Sequence, residues 1–193
     1  MKDKTGRTLA ILVAALAGVV ALAACSSARQ PVYPATPISP EAARGLAPDF
    51  QFIAYQGQNV LGGNQASLYS LLRKGKPVVL NMWAGECAPC RREMPDLQAV
   101  YDSYKGRFIL FGLDVGPFTG LGSREEGKAL LQELEITFPA GTTYDAEVVR
   151  DYEILGMPTT FFIKPNGEIV RKWTGLMDKG KFTELVESLL TSS

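Results

Sequence analysis

The chain has 193 residues, 46% hydrophobic, 21% charged and 9% aromatic, with a formal net charge of zero, enough for one packed domain but without the basic excess that a nucleic-acid partner requires. Histidine is absent, which excludes Ser-His-Asp and Cys-His hydrolases, imidazole-based zinc and copper sites and histidine general bases. Its three cysteines, Cys25, Cys87 and Cys90, are too few for a disulfide-stapled miniprotein, and proton transfer is left to carboxylates, thiols, lysine, tyrosine or water.

Lys2, Lys4 and Arg7 open the chain, and an uncharged run of 16 residues follows from Leu9 to Ala24. As a helix this run spans about 24 Å, short of a bilayer core of about 30 Å. A basic start, a short apolar stretch and small residues at its end predict a secretory signal over residues 1–24. Leu22-Ala23-Ala24-Cys25 resembles the lipobox of bacterial lipoproteins, whose cysteine is acylated and becomes the new N-terminus. A plain signal peptide or short anchor with an incidental cysteine is the other reading. Either puts the rest of the chain outside the cytoplasm, and acylation of Cys25 attaches it to a lipid membrane without spanning it. Residues 25–46 are then the lipidated cysteine and a tether. Pro31, Pro34, Pro37 and Pro40 prevent helix and make the tether an extended spacer. Without the signal, 17 basic residues face 19 acidic ones, so no polybasic patch for lipid headgroups is expected.

From residue 47 to 193 the pattern is that of one domain. Phe50–Ile53 alternates as a short strand, and Ser67 is placed to cap a short helix that ends before Gly75. Pro77–Trp83 is nearly continuous apolar sequence, as in a central strand covered on both faces. A helix is predicted from about Ala88 to Tyr104, then a strand over Phe108–Leu113. Ser123-Arg124-Glu125-Glu126 is a capping box that opens a helix to about Leu134, and Asp145 is expected to cap another through Tyr152. Thr159–Ile163 and Ile169–Trp173 flank Lys164-Pro165-Asn166-Gly167, a hairpin signal. Asp178 starts the last helix, with Phe182, Leu185, Val186 and Leu189 at helical spacing. The predicted class is α/β, with a mixed central sheet, helices on both faces and an antiparallel hairpin at one end.

Cys87-Ala88-Pro89-Cys90 falls where the central strand gives way to a helix. Residues three apart share a helix face at a separation compatible with an S–S bond. The free N–H groups and dipole at a helix N-terminus favour a thiolate on Cys87. Pro89 lacks an N–H that the first turn leaves unpaired, and it stiffens the loop. Four other readings compete. A zinc half-site lacks two further soft ligands, and a covalent haem site wants histidine where Arg91 stands. A peroxidase cysteine normally follows threonine or serine by three residues, but Ala84 precedes Cys87. A purely structural disulfide closing so short a loop stabilises by roughly 2 kcal/mol, little for a domain of this size. Redox chemistry is the favoured reading. No metal and no cofactor is called for.

Trp83-Ala84-Gly85-Glu86-Cys87-Ala88-Pro89-Cys90-Arg91-Arg92-Glu93-Met94-Pro95 resembles the active-site stretch of the thioredoxin superfamily, and within it the TlpA-like, membrane-attached thiol-disulfide oxidoreductases. Gly156-Met157-Pro158-Thr159-Thr160 is similar to that family's cis-proline loop, and the segment around Ser123 to Thr142 fits the insertion between central strands in this branch. The resemblance implies a thioredoxin fold, a nucleophilic Cys87, a resolving and more buried Cys90, and a cis Pro158 beside the sulfurs that leaves the Met157 backbone to pair with substrate. It also implies that Trp83 covers the disulfide, which is compatible with a plain core aromatic at a strand end, and that Pro95 kinks the helix. For Glu93 it implies a proton-transfer role, against an ordinary solvated glutamate in a first helical turn. Asn81 stands where thioredoxin has a buried acid, which raises the need for another proton carrier. Glu86 departs from the family's usual tryptophan, disfavouring the Cys87 thiolate that Arg91 and Arg92 favour.

The expected function is that of an exported, lipid-anchored thiol-disulfide oxidoreductase, read as a reductase of protein disulfides because Ala-Pro lacks the histidine of oxidising relatives. Such a reductase needs a transmembrane donor of the thiol type, and the family's substrates include apocytochromes c. The rival readings are a redox-inert binding lipoprotein on the same fold and a thiol peroxidase.

Overall fold

The computed structural model describes residues 45–192; the expected signal, Cys25 and nearly all of the tether lie outside the described residues. Seven strands form one mixed sheet: β1 (Gln51–Gln56), β2 (Gln65–Ser67), β3 (Val78–Trp83), β4 (Ile109–Asp114), β5 (Ala140–Thr142), β6 (Thr159–Ile163) and β7 (Ile169–Thr174), in the order β2-β1-β5-β4-β3-β6-β7. β3 runs parallel to β4, and β4 to β5; every other neighbour is antiparallel. The helices are α1 (Gln58–Leu61), α2 (Leu68–Leu72), α3 (Ala88–Ser103), α4 (Gly116–Thr119), α5 (Arg124–Glu133), α6 (Glu147–Asp151) and α7 (Lys179–Thr191).

The apolar runs become central strands because both faces are covered. Every residue of β3, β4 and β6 is buried. Successive side chains point to opposite faces, so Val79, Leu110 and Phe162 join Leu97, Val100, Leu130, Leu131, Phe182 and Leu189 from α3, α5 and α7. Val78, Leu80, Met82, Phe111 and Phe161 join Leu68 and Leu71 of α2, Val148 of α6 and Tyr152 at the C-cap of α6 on the other face. The thioredoxin fold expected from sequence is the fold observed.

Local signals act as their chemistry requires. Ser67 and Ser123 each complete a capping box, with Ser70 and Glu126 respectively, and Asp178 accepts from the Lys181 N–H. Gly167 closes the β6–β7 turn with φ +90°, a conformation that favours glycine. Asp145 is a correction: α6 starts at Glu147 with Ala146 at its cap position, and Asp145 Oδ1 accepts the Glu147 N–H at 3.0 Å as a turn before the helix. The first strand starts one residue later than expected and runs to Gln56. β2, β5, α1 and α4 were not expected, since three or four residues hold no periodicity. β5 is set by tertiary pairing alone, bridging β1 and β4.

Candidate active site

β3 ends at Trp83, and after Ala84, Gly85 and Glu86 the N-cap Cys87 opens α3 at Ala88. Cys87 Sγ accepts the Cys90 N–H at 3.2 Å, so the sulfur stands in for the usual Ser or Asp cap and receives a helix N–H. Cys87 and Cys90 form a disulfide with their Cα atoms 5.2 Å apart. Cys87 keeps 5% of its surface exposed and Cys90 none, which gives the two sulfurs unequal access to a partner. Pro89 occupies the first turn of α3, and Pro95 sits inside the helix without ending it.

The Met157–Pro158 peptide is cis. β6 begins one residue beyond it, and Thr159 lies opposite Met82 of β3, so this loop occupies the same end of the sheet as the disulfide. Gly175 N–H donates to the Pro158 carbonyl at 2.8 Å, and Met157 is partly buried against both apolar clusters. Trp83 is wholly buried and belongs to the cluster that includes both cysteines. Glycines make room for its ring: a Cβ on Gly112 falls 2.9 Å from Trp83 Nε1 and one on Gly127 3.5 Å from the ring. It is thus a core aromatic at the strand end.

Glu93 is not the solvated residue of an exposed turn. It is 1% exposed, with Oε1 accepting from Asn81 Nδ2 at 2.8 Å and Oε2 from the Met177 N–H at 3.0 Å. Burial pushes its pKa up to about 7, and these two bonds limit the rise. Asn81 also donates to Thr160 Oγ1 at 2.9 Å, while its Oδ1 has no hydrogen-bond partner among the described residues. The residue read only as replacing an acid is therefore bonded to the acid one element away, and neither this pairing nor that of Met177 has a sequence signal. A second buried carboxyl, Asp114 at the end of β4, is pushed to about 6 by burial, against donation from Gly116 N–H and Tyr55 OH.

Glu86 N–H donates to the Leu121 carbonyl at 2.9 Å, which fastens the loop before Cys87 to the segment between α4 and α5. Arg91 is paired with Glu133 of α5, so its charge is shared rather than free to serve Cys87. No group of three or more metal-ligating side chains occurs among the described residues, and no helix among them is long and apolar enough to cross a membrane.

The sequence profile of the AhpC/TSA family matches residues 44–172. The chain belongs to this family. Similar proteins include a thiol-disulfide oxidoreductase ResA from Oceanobacillus iheyensis, 38% identical over 123 residues, 64% of this chain and 60% of that protein. The match thus spans less than two thirds of that relative. A thiol-disulfide oxidoreductase ResA from Geobacillus kaustophilus is 31% identical over 144 residues, 74% of this chain and 75% of its own. Among solved structures, the thioredoxin domain of a thiol-disulfide oxidoreductase from Bacteroides vulgatus aligns with TM-score 0.60 at 25% identity, over 75% of this chain and 95% of that one.

Proposed function

We propose that this protein is a thiol-disulfide oxidoreductase that reduces protein disulfides outside the cytoplasm through the Cys87–Cys90 pair. The observation that carries the reading is a disulfide at a helix N-terminus, with the outer sulfur already accepting a helix N–H. Reduced Cys87, as thiolate, attacks one sulfur of a substrate disulfide. A Cys87–substrate bond forms, the substrate S–S bond breaks and one substrate thiolate leaves. Cys90 then gives its proton to Glu93, one helical turn along α3, and attacks Cys87 Sγ. The second substrate thiol is released, and two electrons have passed to the substrate. A carboxyl poised near 7 both accepts and returns a proton at neutral pH, and no histidine is present to do so. The Met157 backbone beside Pro158 pairs with an extended substrate strand. Leu121, Leu155 and Leu176, exposed by 38%, 95% and 40%, offer apolar contact suited to a protein substrate.

Residues 1–24 act as the export signal, Cys25 carries the lipid and residues 25–46 hold the domain off the membrane. A thiol donor in the membrane re-reduces the pair. A Cys90→Ser variant tests the reading: expressed as the full chain, it accumulates mixed disulfides on Cys87 that dithiothreitol releases. Recovery of Cys87 as a free thiol with no adduct, from cells in which the variant is exported, rejects it.

A further inference from the structure

Glu86, which the proposed chemistry leaves unused, lies on a groove of about 390 Å³ between the start of α3 and one face of α5. Cys87 lines this groove and Cys90 does not. Its lining includes the small residues Gly85, Ala88 and Ala129, which leave width for an extended chain. The two walls are held in register by close backbone approach: a Cβ on Gly85 falls 2.7 Å from the Gly127 nitrogen.

Charge on the groove is one-sided because α5 sorts its side chains by face. Glu126, Ala129, Leu130 and Glu133 follow helical spacing and face the groove. The basic residues of α5 face elsewhere: Arg124 lies 4.4 Å from the Tyr144 ring centre and Lys128 lies 5.2 Å from that of Tyr55. Glu133 is neutralised by Arg91. Glu126 is held ionised, its carboxylate accepting the Ser123 N–H of the capping box, which lowers its pKa. Glu86 and Glu126 converge over Gly122, where a Cβ falls 3.3 Å from Glu86 Cγ and 3.4 Å from Glu126 Oε2. Glu86 and Glu126, whose side chains also meet each other, thus line the same groove as Cys87 without a cationic partner among its lining residues.

We infer that this groove selects substrates by charge: it takes the polypeptide flanking the target cysteine, and Glu86 and Glu126 favour a segment with lysine or arginine next to that cysteine. The inference rests on the proposed disulfide exchange at Cys87. Opposite charges at this range steer encounter and disfavour wrong partners, and salt screens the effect.

The test uses the reduced full chain with synthetic peptides whose single cysteine is a mixed disulfide with 5-thio-2-nitrobenzoate and is flanked by lysine, alanine or glutamate. Attack by the Cys87 thiolate on the peptide sulfur releases the coloured thiolate, and Cys90 then frees the peptide thiol. Rates are divided by those of the same peptides with free dithiothreitol, which removes the intrinsic effect of the flanking charge. At low salt the lysine peptide should react about tenfold faster than the glutamate peptide, and the gap should narrow at high salt. Glu86→Gln should shrink the ratio, and adding Glu126→Gln should remove it. The ratio is insensitive to any change in thiolate population, which acts equally on all three peptides. Equal normalised rates in the native protein, or a salt-independent preference, overturn the inference alone. If none of the three peptides reacts, it is the exchange at Cys87 that fails.

Discussion

At the scale of the residue, Glu93 decides most. Its position three residues after Cys90 was legible in the sequence, but its burial was not, because an Arg-Arg-Glu run at a helix start reads equally well as solvated. Burial follows from the side of α3 that Glu93 shares with Cys90 and Met94, and from donors on two other elements, Asn81 and the Met177 N–H. Asn81 Oδ1, left without a donor among the described residues, is available to a protonated neighbour if the amide turns over. Glu93→Gln should therefore fold, with Gln Nε2 donating to that oxygen. What it loses is the proton acceptor. The pH dependence of resolution by Cys90, followed by stopped-flow after mixed-disulfide formation, should show an inflection near 7 in the native protein, and the variant should lack it. An unchanged profile would separate Glu93 from the chemistry.

At the scale of the element, signals carried by two or three residues fixed three helix starts, Ser67, Ser123 and Asp178 capping where hydroxyl or carboxylate chemistry places them, whereas Asp145 makes a turn ahead of its helix instead of capping it. Elements without internal periodicity were invisible, β5 above all, which exists because β1 and β4 lie within reach. A Cβ on Gly141 of β5 would stand 2.4 Å from the Ile53 carbonyl, so glycine is needed there for the strands to meet. The same logic joins α5 to the active-site loop. At Gly127 a Cβ falls 2.2 Å from Asp114 Oδ2, so Gly127→Ala must displace either a buried carboxylate or the helix. Despite alanine's better helix propensity, this variant should lose about 2–3 kcal/mol of stability in denaturant unfolding. Because α5 forms one wall of the groove, it should also alter turnover. A variant as stable as the native domain would mean that α5 moves away without cost.

At the scale of the whole molecule, the α/β alternation, the hairpin and the site at the carboxyl end of β3 were all readable from apolar runs and one four-residue motif. The acidic groove was not, since it joins the loop before Cys87 to α5, some forty positions later in the chain. Charge also shapes global stability. Glu93 rises from 4.5 to about 7 and Asp114 from 3.8 to about 6 on folding. The folded state therefore binds more protons than the unfolded chain between these values, and stability falls as pH rises from about 4 to 7, then levels. Glu93 accounts for up to about 3 kcal/mol of that fall. Urea unfolding of Glu93→Gln across this range should show the slope reduced, and an undiminished slope would contradict burial of the ionised form. The most direct measurement is alkylation of the reduced protein against pH, read by mass. Mild dithiothreitol should open the Cys87–Cys90 bond, and Cys87, the sulfur with residual exposure, should alkylate faster than the wholly buried Cys90. A pair that stays closed under dithiothreitol, or a Cys87 no more reactive than Cys90, would contradict a redox role for the site.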